Sequence, residues 1–158
     1  MELIDTKPKK SNNNEFKPWG METNQFCTLM HLSQLTGFII PLAGIILPIL
    51  MWATNKNQND MIDKHGKNIT NWLISSFIYY AIFVIFAYVS IAKAILSFDR
   101  NISDELFVNL FMSYGSIFIA LILVFILGFC SVIFNIIGAV RANDGILFKY
   151  PLTITFIS

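Results

Sequence analysis

Residues 31–53 read HLSQLTGFIIPLAGIILPILMWA, an uncharged stretch with Gly37, Pro41, Gly44 and Pro48 crowded into its middle. Its length suits a membrane-spanning helix, which needs about 20 apolar residues. Its composition argues against one straight rod. Proline removes an intrahelical donor and clashes with the preceding turn, and glycine suits a turn or a close approach of two backbones. Two architectures follow: a kinked single crossing, or a broken, re-entrant pair that enters and leaves on the same side. The choice fixes the topology of everything downstream.

Working outward, no charged residue occurs between Glu22 and Lys56, between Lys67 and Lys93, or between Glu105 and Arg141, runs of 33, 25 and 35 positions. All 21 Lys, Arg, Asp and Glu therefore lie in the remaining 65 of 158 residues. Charge is costly in hydrocarbon, so the sequence specifies an all-α, polytopic membrane protein with a broken first hydrophobic segment and two full transmembrane helices. The hydrophobic segments are 24–54, 68–92 and 106–140, within one membrane domain, 23–158, preceded by a polar tail, 1–22, read as disordered. Segment two holds no Gly or Pro and should be one helix, N-capped by Asn59, Asp60 or Asp63. Trp72, Tyr79, Tyr80 and Tyr88 are its candidate interface anchors. Segment three is too long for one untilted crossing, so FVNLFMSYGS (107–116) reads as an interfacial start and 116–139 as the span. Asn143, Asp144 and Gly145 make a helix stop. Beyond it Pro151 forbids a helix, and Leu152, Ile154 and Phe156 alternate with Thr153, Thr155 and Ile157. Residues 146–158 therefore read as an extended segment at the interface, since unpaired backbone cannot sit in hydrocarbon.

Positive charge favours the cytoplasmic side. If segment one crosses once, Lys and Arg divide six against five between the two sides. If it turns back at Gly37–Gly44, the tail, the 56–67 link and the C-terminus share a side and the division is nine against two. The second arrangement is favoured, with both termini cytoplasmic in a multi-pass protein of the cell (inner) membrane. It also gathers three polar pairs at helical spacing, His31 and Gln34, Asn71 and Ser75, Ser131 and Asn135, toward one half of the bundle. Small and polar residues from Asn109 through Ser113, Ser116, Ala120 and Gly128 to Gly138 continue the stripe on segment three. Such a stripe serves as a helix-packing seam or as a hydrated groove.

A net charge of +1 provides no basic surface for nucleic acid. Cys27 and Cys130 lie far apart and form no disulfide framework. Ion-coupled transport needs intramembrane charges, which are missing. His31 and His65, with Asp60 or Asp63, lack the spacing of a zinc motif. Asp63, His65 and Ser75 have nothing to fix them as a catalytic triad. The expectation is that His31 hydrogen-bonds within the bundle, that His65 sits at a solvated helix start, and that the chain is not an enzyme and holds no metal or cofactor.

Several separated motifs carry a family likeness. They are His31-Leu32-Ser33, Gly37-Phe38-Ile39-Ile40-Pro41 with Gly44 and Pro48, Trp52, then Asp63, His65-Gly66-Lys67 and Asn71, and finally Ala142-Asn143, Gly145 and Tyr150-Pro151-Leu152. From about Thr28 to Ile157 the chain resembles a family of small bacterial membrane proteins of unassigned function that are similar to the chloroplast inner-envelope Tic import component. The resemblance implies four membrane helices with both termini on one side, and no catalytic residue. The 93–105 link and the start of segment three look like an expansion of that pattern. The functional expectation is a scaffold or component of a protein- or solute-handling membrane assembly, the alternative a small oligomeric, holin-like pore. Its partners would be the lipid bilayer and a membrane protein or further copies of itself.

Overall fold

The structure is a computed structural model and describes residues 16–98 and 104–158. The 1–15 part of the tail and the centre of the 93–105 link lie outside the described residues. Four helices follow in order: α1 (Thr23–Ser33), α2 (Ala43–Asn55), α3 (Asp60–Phe98) and α4 (Asp104–Asn143). No strand occurs among the described residues. Among the described residues, only α3 and α4 are long and apolar enough to cross a membrane.

The first hydrophobic segment is broken where its glycines and prolines predict. After α1 a 3-10 turn, Gln34–Phe38, tightens the chain, and α2 runs back. A Cβ on Gly44 would stand 2.6 Å from the Gln34 carbonyl and 2.7 Å from Gly37 Cα, so the two backbones touch and only hydrogen fits. The amides of the reversal remain paired: Ile39 and Ile40 N–H donate to Thr36 O, and Ala43 N–H to Ile40 O. That pairing lets an irregular turn enter an apolar phase. At its tip Phe38, Ile39, Ile40 and Leu42 are exposed. The thirteen residues of α2 reach only about 20 Å, against a hydrocarbon thickness of about 30 Å. The pair is re-entrant.

Asn59 starts α3, its side-chain oxygen accepting from Met61 N–H (2.8 Å), and Asp60 and Asp63 complement the helix dipole in the first turn. Nine of the thirteen residues of the polar 55–67 link are therefore helix. The start of segment three is helical and continuous with the span: α4 runs without interruption from Asp104 to Asn143. Gly145 (φ 74°) then ends it, with Ile146 N–H donating to Arg141 O.

Three ends meet at one end of the bundle. Asn59 donates to Thr23 Oγ1, and Asn24 donates to Asn143 O. The core lies at this end as well, built from Phe26, Cys27 and Met30 on α1, Met51 on α2, Ile62, Ile69 and Trp72 on α3, Ala142 on α4, and Tyr150. Trp72 is 1% exposed, so it is a core residue and not an interface anchor. Pro18 is buried too, and Trp19 stands edge-on to Phe26.

The C-terminal segment is not one extended run. Leu152 has φ 63°, and the chain reverses at Pro151–Leu152 into a hairpin laid along α3.

Candidate functional site

Gly138 on α4 makes room for the His31 ring, since a Cβ there would stand 2.6 Å from His31 Nδ1. His31 bridges two partners: Nδ1 lies 2.6 Å from the Tyr150 hydroxyl and Nε2 lies 2.9 Å from His65 Nδ1. Gln34 Nε2 donates to the Tyr150 oxygen (2.8 Å), which also meets Asn135 Oδ1 at 3.3 Å. Trp72 stacks on Tyr150, its rings 3° from parallel, and donates through Nε1 to Ser131 Oγ. Both histidines are 0% exposed and Tyr150 4%. Burial pushes the Tyr150 phenol above its ordinary value, and the Gln34 hydrogen bond offsets part of that. His65 is thus buried, not solvated. The ring packed against it is His31, far away in sequence.

Proton bookkeeping constrains the cluster. The phenol has one hydrogen and gives it either to His31 Nδ1 or to Asn135. In the first case His31 Nε2–H donates to His65 Nδ1 and leaves His65 Nε2–H without an acceptor. In the second the chain runs the other way and His65 Nε2 becomes a bare acceptor. Either way the unsatisfied atom is His65 Nε2, which has no protein partner. His65 also lines an open cavity of about 750 Å³ beside Asn57–Asn59 and Gly145. Because the two rings share one hydrogen bond, the pair carries at most one positive charge.

A second polar row lies on the same half of α3. Asn71 Oδ1 accepts from Phe156 N–H and Ile157 N–H (both 2.9 Å), and Asn71 Nδ2 donates to Ile157 O. Ser75 Oγ accepts from Ile154 N–H (2.9 Å). Tyr79 donates to Leu152 O (2.6 Å), and Asn68 donates to Phe148 O. The order of these bonds shows the chain descending from Asn68 to Tyr79 and returning to Asn71. Positions 68, 71, 75 and 79 form one stripe, about 16 Å long at 1.5 Å per residue. It replaces the neighbouring strand that the hairpin lacks.

Of the polar residues singled out in the sequence, His31, Gln34, His65, Asn135 and Tyr150 form one network. Ser131 joins it through Trp72, and Asn71 and Ser75 hold the hairpin. Asp63 is elsewhere, accepting from Trp52 Nε1 (3.0 Å) and paired with Lys67 (2.7 Å). Asp63, His65 and Ser75 thus face different partners and form no triad. Trp52 lies over Gly66, where a Cβ would be 2.1 Å from the indole. Gly37 and Gly44 make the re-entrant contact, Pro41 sits at its exposed tip and Pro48 is buried within α2. Asn143 and Gly145 close α4, and Pro151 turns the hairpin. Tyr79, Asn68 and Trp72 have roles that sequence reading missed. The 3-4-4 spacing of 68, 71, 75 and 79 is the signal that could have found the stripe.

A family model described as the magnetosome magnetite crystal formation protein family (MamF/MmsF) matches residues 22–157. No curated protein and no solved structure matches the chain. The family match overturns the resemblance to a Tic-like import component. The residues that carried that resemblance, from Gly37 and Gly44 to Tyr150 and Pro151, build the re-entrant pair and the C-terminal hairpin. They report architecture, and architecture does not carry an activity with it.

Proposed function

The chain belongs to the MamF/MmsF family of magnetosome magnetite crystal formation proteins, and on that premise we propose that it is a non-enzymatic multi-pass scaffold of the crystal-bearing membrane. One observation carries the reading: the polar side chains of the seam are used up in bonds that tie α1, α3, α4 and the hairpin together. His31, Gln34, Asn135 and Tyr150 bond to one another, and Asn71 and Ser75 bond to the hairpin backbone. What remains outward is apolar. Phe77, Val84 and Tyr88 on α3, with Phe111, Phe118 and Phe125 on α4, are exposed along the rest of the two long helices. These faces suit lipid and partner helices. The excess of Lys and Arg at the gathered ends supports placing those ends in the cytoplasm.

The competing pore has its own observation. Gln34, Ser131 and Asn135 also border a cleft of about 260 Å³ between the re-entrant turn, α3 and α4. The test has two arms. In cells that form magnetite, deleting the gene should change crystal dimensions in electron micrographs, and the full chain should restore them. In proteoliposomes the purified protein should cause no ion leak. A leak abolished by Ser131→Leu and Asn135→Leu would replace the scaffold with the pore.

A further inference from the structure

The hairpin and α3 border a second cavity, of about 330 Å³, lined by basic, hydroxyl and apolar side chains. Lys64, Lys67 and Lys149 line it together with Thr153, Leu147 and Ile157, and the bonds of Leu152 to Tyr79 and of Ile154 to Ser75 set Thr153 further along α3 than the lysines. Lys67 is paired with Asp63. Lys64 and Lys149 make no ion pair among the described residues, so the cavity keeps a net positive charge. Thr153 Oγ1 is buried there with no hydrogen-bond partner, although a buried hydroxyl ordinarily has one. The cavity's height is also defined. Lys67 is the last charge before 25 uncharged residues of α3, so the lysines mark the plane where the polar face of a bilayer meets its hydrocarbon.

We propose that this cavity seats the headgroup and glycerol of an anionic phospholipid, with the phosphate between Lys64 and Lys149 and an ester carbonyl accepting from the Thr153 hydroxyl. A free phosphate would use the lysines but leave the deeper hydroxyl unpaired. A diacyl lipid presents a phosphate, then esters, then hydrocarbon, in the order of the lining. The volume lies at the low end of small-ligand sites, about 300–1,000 Å³. That is enough for the headgroup but not for the acyl chains. The chains would lie outside against Leu152, Ile154 and Phe156, which are exposed on the hairpin. Basic side chains beside a spanning helix attract anionic lipid in general. Here the attraction ends in a formed cavity with a buried, unpaired hydroxyl, and the proposal does not depend on the scaffold reading.

The experiment is native mass spectrometry of the full chain in detergent, titrated with phosphatidylglycerol or with phosphatidylcholine of the same acyl chains. Phosphatidylglycerol should bind as one tight copy, about tenfold more strongly than phosphatidylcholine. The double variant Lys64→Gln, Lys149→Gln should erase that preference while keeping the unliganded melting temperature. Lys56→Gln should leave it intact, because Lys56 lies over the Trp52 ring outside the cavity. Thr153→Val should weaken both lipids alike, since the ester is common to them. Equal binding of the two lipids, or a preference that survives the double variant, overturns the proposal. Displacement of the lipid by millimolar inorganic phosphate would assign the site to a free anion and overturn it as well.

Discussion

The two halves of the α3–α4 pair both draw on the charge-free runs 68–92 and 106–140 and differ in what surrounds them. The half near the gathered ends is wrapped by α1, α2 and the C-terminal hairpin, whereas among the described residues the far half has only α3 and α4. Both halves contain polar side chains. In the far half these close on their own helix: Ser90 donates to Phe86 O and Ser116 to Ser113 O. In the wrapped half they reach across, from His31 to His65 and Tyr150, and from Asn71 and Ser75 to the hairpin. Hydropathy decides that a helix spans. Whether its polar groups find partners on their own helix or on another decides where further elements attach.

The comparison is most sharply tested at glycine. Gly44→Ala places a methyl against backbone that cannot yield, and the cost should be about 3 kcal/mol. Gly115→Ala in the far half meets nothing within 4 Å and should be neutral or stabilising, by up to about 1 kcal/mol. Thermal unfolding in detergent reads both, and equal effects would dissolve the distinction between the halves. Next in size is Tyr150→Phe, which strips partners from His31, Gln34 and Asn135 and should cost about 2 kcal/mol. Tyr88→Phe, at a residue 72% exposed, should change stability by less than about 0.5 kcal/mol.

Asn71→Ala removes three bonds to the hairpin and should cost about 1–3 kcal/mol. Its specific mark is faster hydrogen exchange at residues 152–157, with α4 unaffected, and Ser90→Ala should show no such mark. The smallest effect is in pH. The folded Tyr150 phenol holds its proton above the ordinary value near 10. Its share of stability is therefore complete below that value and is lost as pH rises from there toward the folded value. Melting temperature should thus fall above pH 10 with a component that Tyr150→Phe abolishes. An unchanged slope in the variant would mean that the phenol is not held as described.

Much of the architecture was legible because it rests on local signals. The charge-free runs define the two spans, and the crowded Gly37, Pro41, Gly44 and Pro48 break the first segment. The orientation of the polar pairs was legible too, since positions 3 or 4 apart share a helix face. The histidine pair was not. His65 lies in the charged stretch DMIDKHGKN, and the ring it packs against, His31, is 34 positions away. The hairpin escaped for a related reason. Leu152 takes a left-handed conformation without being glycine, so nothing in the residue announces the turn, and the hairpin's partners are side chains of a helix.

The re-entrant pair has one more consequence. Its tip lies abreast of Phe77 and Tyr80, about 15 Å beyond the point where α3 becomes apolar, which is roughly mid-membrane. Four helices and a hairpin thus occupy one leaflet and two helices the other, so the molecule tapers. A tapered body cannot fill a flat bilayer without loosening the lipids at its narrow end. Curving the bilayer toward that end closes the gap.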